Sequence, residues 1–215
     1  MVLKTTSGVC RPHNESISAA FRRLKVIKND LWIERKATEL GMIEPFCREL
    51  VREKDGKKVL SYGLSSYGYD ARCGYKFKIF RRPSDKLYPI DPLNFLHGMF
   101  CEDFEGEVCI VPPNSLVLCN TVEYFRIPSN CHCYVLGKST YARSGLHCLT
   151  TPLEAGWKGQ ITIEMANVTP YPIKLYAGQG VCQVCFHESD ERCRYSYADR
   201  NGKYQGQTGI TFSKG

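Results

Sequence analysis

From about residue 59 onward, apolar and polar positions alternate in short bursts rather than in long helical stripes. Runs rich in β-branched and aromatic residues fall at 74–80, 107–111, 115–120, 131–136, 160–168 and 173–176. Gly, Pro, Asn and Asp punctuate the gaps between them. The clearest run is 160–168, where a period of two puts Ile161, Ile163 and Met165 on one face and Thr162, Glu164 and Ala166 on the other. Many short strands at this spacing predict an all-β sandwich or barrel. Ahead of them a single helix is expected over 31–40. Asn29 or Asp30 can cap it, Ile33, Ala37 and Leu40 form its apolar stripe, and Gly41 ends it. Residues 1–27 are polar, with basic clusters at Arg22-Arg23 and Lys25, and read as a leader before one domain over 28–215.

Composition narrows the setting. Of 215 residues, 43% are apolar and 24% charged, an ordinary globular balance. No run approaches the roughly 18 consecutive apolar residues of a membrane span. The first residues also lack the apolar core of a signal peptide. A cytoplasmic protein with reduced thiols and no membrane partner is therefore expected. The twelve cysteines are first tested as metal ligands. Cys182 with Cys185, and Cys131 with Cys133, lie in runs (181–186 and 131–136) that read as buried strands. Residues three apart on a strand face opposite sides, so Cys182 and Cys185 are poorly placed to share an ion. The cysteines read instead as small buried hydrophobes, with no metal site. The excess of 29 Lys and Arg over 22 Asp and Glu, a formal +7, suggests an anionic partner.

Three segments carry candidate chemistry. The first is Gly137-Lys138-Ser139-Thr140-Tyr141-Ala142-Arg143-Ser144-Gly145. It is no P-loop, because His132 stands where that motif needs its first glycine. A glycine-bounded turn with two cations and several hydroxyls remains, either solvated or offered to phosphate. The second runs from Thr151-Pro152-Leu153-Glu154-Ala155-Gly156-Trp157 into the strand bearing Glu164. That carboxylate among small residues is either a solvated outer-face residue or a desolvated base. The third, 195–209, is polar and glycine-punctuated: a disordered tail, or a lid over a phosphorylated ligand.

Together with Ser61-Tyr62-Gly63-Leu64-Ser65-Ser66-Tyr67-Gly68-Tyr69-Asp70-Ala71-Arg72, these segments resemble the deoxycytidine triphosphate (dCTP) deaminase family of the dUTPase-like superfamily. The resemblance covers about 29–210. It also takes in Gly41-Met42-Ile43-Glu44-Pro45-Phe46, Ile90-Asp91-Pro92, Pro112-Pro113-Asn114-Ser115 and Thr121-Val122-Glu123-Tyr124-Phe125-Arg126-Ile127-Pro128. It implies a distorted β-barrel or jelly roll of the β-clip type, assembled as a homotrimer with active sites shared between subunits. The implied reaction hydrolyses the 4-amino group of dCTP to dUTP and ammonia, supplying dUTP for thymidylate synthesis. No zinc is implied, and the residues agree. The zinc-deaminase signature is H-x-E followed by P-C-x-x-C. Here the only H-x-E is His13-Asn14-Glu15, and no proline precedes a cysteine.

The resemblance also assigns roles. Glu164 becomes the general base for the attacking water, Ser139 and Arg143 orient that water and stabilise charge, and Pro152 lends a backbone carbonyl. Lys138, Ser139, Thr140, Tyr141, Ala142 and Arg143 match a loop contacting phosphate and sugar. Thr162, Ile163 and Glu164 match the base-reading strand. Gln183 and Glu154 are further nucleotide contacts, and Tyr197, Asp199, Lys203 and Gln207 belong to a tail closing over the triphosphate. Mg²⁺ is expected on the substrate's triphosphate, and dTTP as a feedback inhibitor. The chain departs from its relatives at Glu154-Ala155-Gly156-Trp157, His147-Cys148-Leu149-Thr150 and Cys119-Asn120, which bears on recognition at cytosine C5. Rival readings are a bifunctional enzyme releasing dUMP, a deaminase of 5-substituted dCTP, and a non-enzymatic nucleic-acid-binding barrel. The last needs basic and aromatic residues interleaved along one surface, and the motifs favour a nucleotide pocket with no nucleic acid.

Overall fold

The computed structural model describes residues 26–81 and 88–214, so all but Val26 and Ile27 of the leader lies outside the described residues. Those two already belong to the sheet. Ile27 bridges His187, and Glu188 N–H donates to the Val26 carbonyl at 2.9 Å. Helix α1, Asp30–Leu40, begins where the Asn29 side chain accepts from Trp32 N–H and ends at Gly41, which adopts φ 61°. That left-handed conformation is readily open to glycine. The apolar stripe differs from the expected one: Trp32, Ile33 and Ala37 are buried, and Leu40 is 58% exposed. The helix docks by its first half, with Trp32 against Phe186. The Gly41 reversal then hands the core to Met42 and Ile43.

Among the described residues twelve strands follow: β1 Ile43–Glu44, β2 Val51–Lys54, β3 Lys57–Ser65, β4 Gly68–Phe80, β5 Cys101–Glu105, β6 Val108–Val111, β7 Ser115–Arg126, β8 Cys131–Gly137, β9 Leu146–Leu149, β10 Lys158–Asn167, β11 Ile173–Tyr176 and β12 Gly180–Glu188. Two one-turn helices, α2 His97–Phe100 and α3 Ser139–Arg143, interrupt them. The main sheet runs β2-β3-β4-β7-β10-β9. β12 joins it through β4 and carries β8, while β6 and β11 pair separately. All described ladders are antiparallel. This curled sheet is the expected distorted barrel with a short N-terminal helix. The pattern anticipated seven of these strands and missed β1, β2, β3, β5 and β9.

The core lies inside the curl, where Tyr69, Phe77, Phe125, Ile163, Met165 and Phe186 are all under 2% exposed. Each such side chain contributes about 1.5–3 kcal/mol by leaving water. The 131–136 run proves buried on one face only: Cys131, Cys133 and Val135 turn inward, and Tyr134 and Leu136 are half exposed. Likewise Cys182 is buried and Cys185 is not, the opposite-face placement expected for residues three apart.

One irregularity sets the geometry of the site. Opposite Ile161 of β10, β7 bulges, and the register moves from Gln160↔Tyr124 to Thr162↔Asn120. The Thr121 hydroxyl accepts from Ile161 N–H at 2.9 Å, which satisfies the donor the bulge would orphan. Because the shift is even, side-chain alternation survives it. Ile161, Ile163 and Met165 point inward, and Thr162, Glu164 and Ala166 outward.

Candidate active site

Glu164 lies opposite Leu118 of β7 and Leu149 of β9. Burial pushes its carboxyl above the ordinary carboxylate range, partly countered by a backbone hydrogen bond. It opens into a cleft of about 1040 Å³ whose lining includes Pro152, Glu154, Thr162, Tyr197 and Gln207. The 151–154 segment is held flat beside β8, because Leu153 exchanges two 2.9 Å backbone hydrogen bonds with Cys133. Peptide groups alternate sides along an extended chain, so the Pro152 carbonyl is directed away from β8.

The tail supplies the opposite wall. β9 covers only the 164–167 portion of β10, and residues 204–211 dock along the remainder. Gln160 N–H donates to the Gln207 carbonyl at 3.0 Å, and Gln207 Nε2 donates to the Gln160 carbonyl at 2.7 Å. Thr211 N–H donates to Thr162 Oγ1, and Trp157 Nε1 donates to the Tyr204 carbonyl. The Tyr197 hydroxyl accepts from Tyr204 N–H at 3.0 Å. Residues 204–211 thus pack along β10 beside the cleft. Asp199 stays outside the cleft, capping its own turn through Ser196, whose hydrogen bonds hold the carboxyl below its usual range. Lys203 donates to the Lys214 carbonyl.

The first segment folds as α3, a helical turn rather than a plain loop. Gly137 permits the close approach of β9, since a Cβ there would sit 2.9 Å from that of Cys148. Tyr141 is buried, with its hydroxyl accepting from Tyr176 N–H at 3.0 Å, and it anchors the turn from below. Ser139, Thr140, Ala142 and Arg143 remain exposed. Lys138 turns inward to Asp70 at 2.5 Å, and Gln183 meets the same carboxylate from β12. None of these residues lines the Glu164 cleft. The helix sits at the Val168 end of β10, where Val168 N–H donates to Gly145. Four residues at about 3.3 Å each put that end roughly 13 Å along the strand from Glu164. Ile163 faces the core, so only its backbone is available to a ligand. Among the described residues, no three His, Cys, Asp or Glu side chains are gathered as for a metal.

The dCTP deaminase-like family model matches residues 28–189, from just before α1 to just past the end of β12. The chain belongs to the dCTP deaminase-like family. It is 55% identical to dCTP deaminase of Cupriavidus metallidurans over 188 residues, covering 87% of this chain and 98% of that protein. It is 56% identical to dCTP deaminase of Burkholderia mallei over 189 residues, with the same coverage. A crystal structure of 2'-deoxycytidine 5'-triphosphate deaminase from Agrobacterium tumefaciens superposes with a TM-score of 0.55 at 16% identity. That match covers 78% of this chain and 49% of the other, a likeness of fold.

Sequence reasoning did not anticipate His132, Arg200 and Tyr204 in the cleft wall, or Asp70 beneath Lys138. Tyr204 lay within a singled-out segment, and Asp70 within the recognised 61–72 stretch. His132 carried no signal beyond its place in a strand.

Proposed function

We propose that the chain is a dCTP deaminase, converting dCTP and water to dUTP and ammonia. The observation that carries this reading is the half-buried Glu164 carboxylate facing a cleft, in a chain 55% identical to curated dCTP deaminases. Glu164 takes a proton from water as the oxygen bonds to cytosine C4. It gives that proton to N3, then takes the second one from the new C4 hydroxyl and passes it to the amine, which leaves as ammonia when the C4–N bond breaks and the C4 carbonyl forms. A positioned base contributes typically ~10²–10⁴-fold. Pro152, whose carbonyl is directed away from β8, supplies an acceptor for the water. Ser139 and Arg143 stabilise the tetrahedral intermediate, each such donor being worth roughly 2.7–4 kcal/mol. Mg²⁺ enters as part of the substrate, on the triphosphate, and no zinc is needed because Glu164 activates the water.

The same reading requires more than one subunit. Ser139 and Arg143 lie outside the cleft of their own Glu164, and β8 and β9 leave Tyr134, Leu136 and Leu149 about half exposed. A homotrimer with shared sites would bring the α3 of one chain to the cleft of the next and cover those apolar side chains. Tyr197, Lys203 and Gln207 would close on the triphosphate, and dTTP would compete for the same site.

Incubation with dCTP and Mg²⁺ is expected to yield dUTP and ammonia in equal amounts, read by chromatography. Product recovered only as dUMP defeats the single-activity reading, and turnover confined to a 5-substituted dCTP defeats the substrate. Glu164→Gln is expected to abolish turnover while dCTP still binds. Retained turnover removes Glu164 from the mechanism.

A further inference from the structure

Asp70 is a buried carboxylate of the 61–72 stretch that the proposed mechanism does not use, and its surroundings are specific. It is 5% exposed on β4. Its Oδ2 accepts from Lys138 Nζ at 2.5 Å and from Ser61 Oγ at 3.3 Å, and its Oδ1 accepts from Gln183 Nε2 at 3.1 Å. Lys138 Nζ also donates to Ser61 Oγ at 3.0 Å, and Gln183 Nε2 to Ser65 Oγ at 3.2 Å. One carboxylate therefore joins the junction of β8 and α3 to β12, and both of its long partners are proposed nucleotide contacts.

The donor inventory says what this does to them. An ammonium has three N–H groups, and two of those on Lys138 are taken, by Asp70 and Ser61, leaving one for a ligand. A carboxylate only accepts, so Gln183 must turn its amide nitrogen toward Asp70. Both N–H groups of that nitrogen are then used, on Asp70 and Ser65, which leaves the Gln183 carbonyl oxygen for a ligand; it accepts a long contact from Cys185 Sγ at 3.7 Å and keeps a second lone pair free. We infer that Asp70 is a positioning residue for nucleotide binding: it aims a single N–H of Lys138 at an anionic oxygen and fixes Gln183 as an acceptor for a hydroxyl or amine of the nucleotide. The inference rests on the dCTP reading and deepens it. A mere stability role is the weaker explanation, because a buried ion pair is often no more stabilising than well-packed apolar side chains of the same volume.

The test is the kinetics of Asp70→Asn, which keeps the shape and loses the charge and the acceptor-only character. KM for dCTP is expected to rise about tenfold with kcat within about twofold, the pattern for lost ground-state contacts. In a Lys138→Met background the same change is expected to cost less than about threefold, because the charged one of the two groups Asp70 acts through is gone and only Gln183 remains. An unchanged KM, or an equal effect in both backgrounds, overturns the inference, as does a lowered thermal midpoint with normal KM. Should Asp70→Asn fail to fold, Ser61→Ala removes a neutral hydroxyl from the same network. There a rise in KM of about two- to fivefold at unchanged kcat is expected, and an unmoved KM overturns the inference. Wild-type turnover and equilibrium binding of dCTP are measured first. A wild type that binds dCTP without deaminating it defeats the proposed function, and Asp70 is then judged from the same fold-changes in Kd. A wild type that does not bind dCTP defeats both.

Discussion

Glu164 shows how one side chain acquires its chemistry from its row in a sheet. Alternation along β10 sends it outward among Thr162 and Ala166, and partial burial raises its proton affinity. The folded protein thus holds this proton more tightly than the unfolded chain does, so ionised Glu164 costs stability at neutral pH. That cost vanishes once the pH falls below the unfolded value near 4.5, where both states are protonated. Glu164→Gln is accordingly expected to raise the thermal midpoint at pH 8 and to leave it unmoved at pH 4. Because the base acts only when ionised, kcat/KM should fall with decreasing pH through a pKa above 4.5. An acid limb at or below that value would remove the desolvated base. The position of Glu164 was legible in the sequence because period two is a local property. Asp70 was not, because its partners stand 68 and 113 positions away and only the folded sheet brings them together.

At the level of elements, runs with strong alternation were read correctly, and strands whose pairing is imposed from outside were not. β5 reads Cys-Glu-Asp-Phe-Glu and is almost wholly exposed; it exists because β4 extends far enough to pair with it. The 137–145 segment looked like a turn because its helical character rests on Tyr141 reaching the Tyr176 backbone, a long-range contact. The approach of β12 to β3 is equally non-local. A Cβ on Gly180 would lie 1.9 Å from the Ser61 carbonyl oxygen and 3.2 Å from Lys138 Cδ. Backbone cannot yield as a flexible side chain does, so Gly180→Ala is expected to cost about 1–3 kcal/mol in urea unfolding. It should weaken dCTP binding as well, since it strikes the Asp70 network. Unaltered stability would mean the strands part freely there.

For the whole molecule, the separation of α3 from the Glu164 cleft makes assembly a condition of activity under the proposed mechanism. Mixing inactive Glu164→Gln with inactive Ser139→Ala, under conditions that exchange subunits, should recover activity. With random association about a quarter of the interfaces carry both intact residues. No recovery in mixed trimers, checked by tagging one variant, would place both residues of a working site on the same chain. The tail has a different consequence, in the order of synthesis. Residues 196–211 are made after the twelve described strands, yet they form one wall of the cleft. A chain whose sheet has paired before the tail docks therefore holds Glu164 in an open trough, and the pocket is complete only when 196–211 pack down.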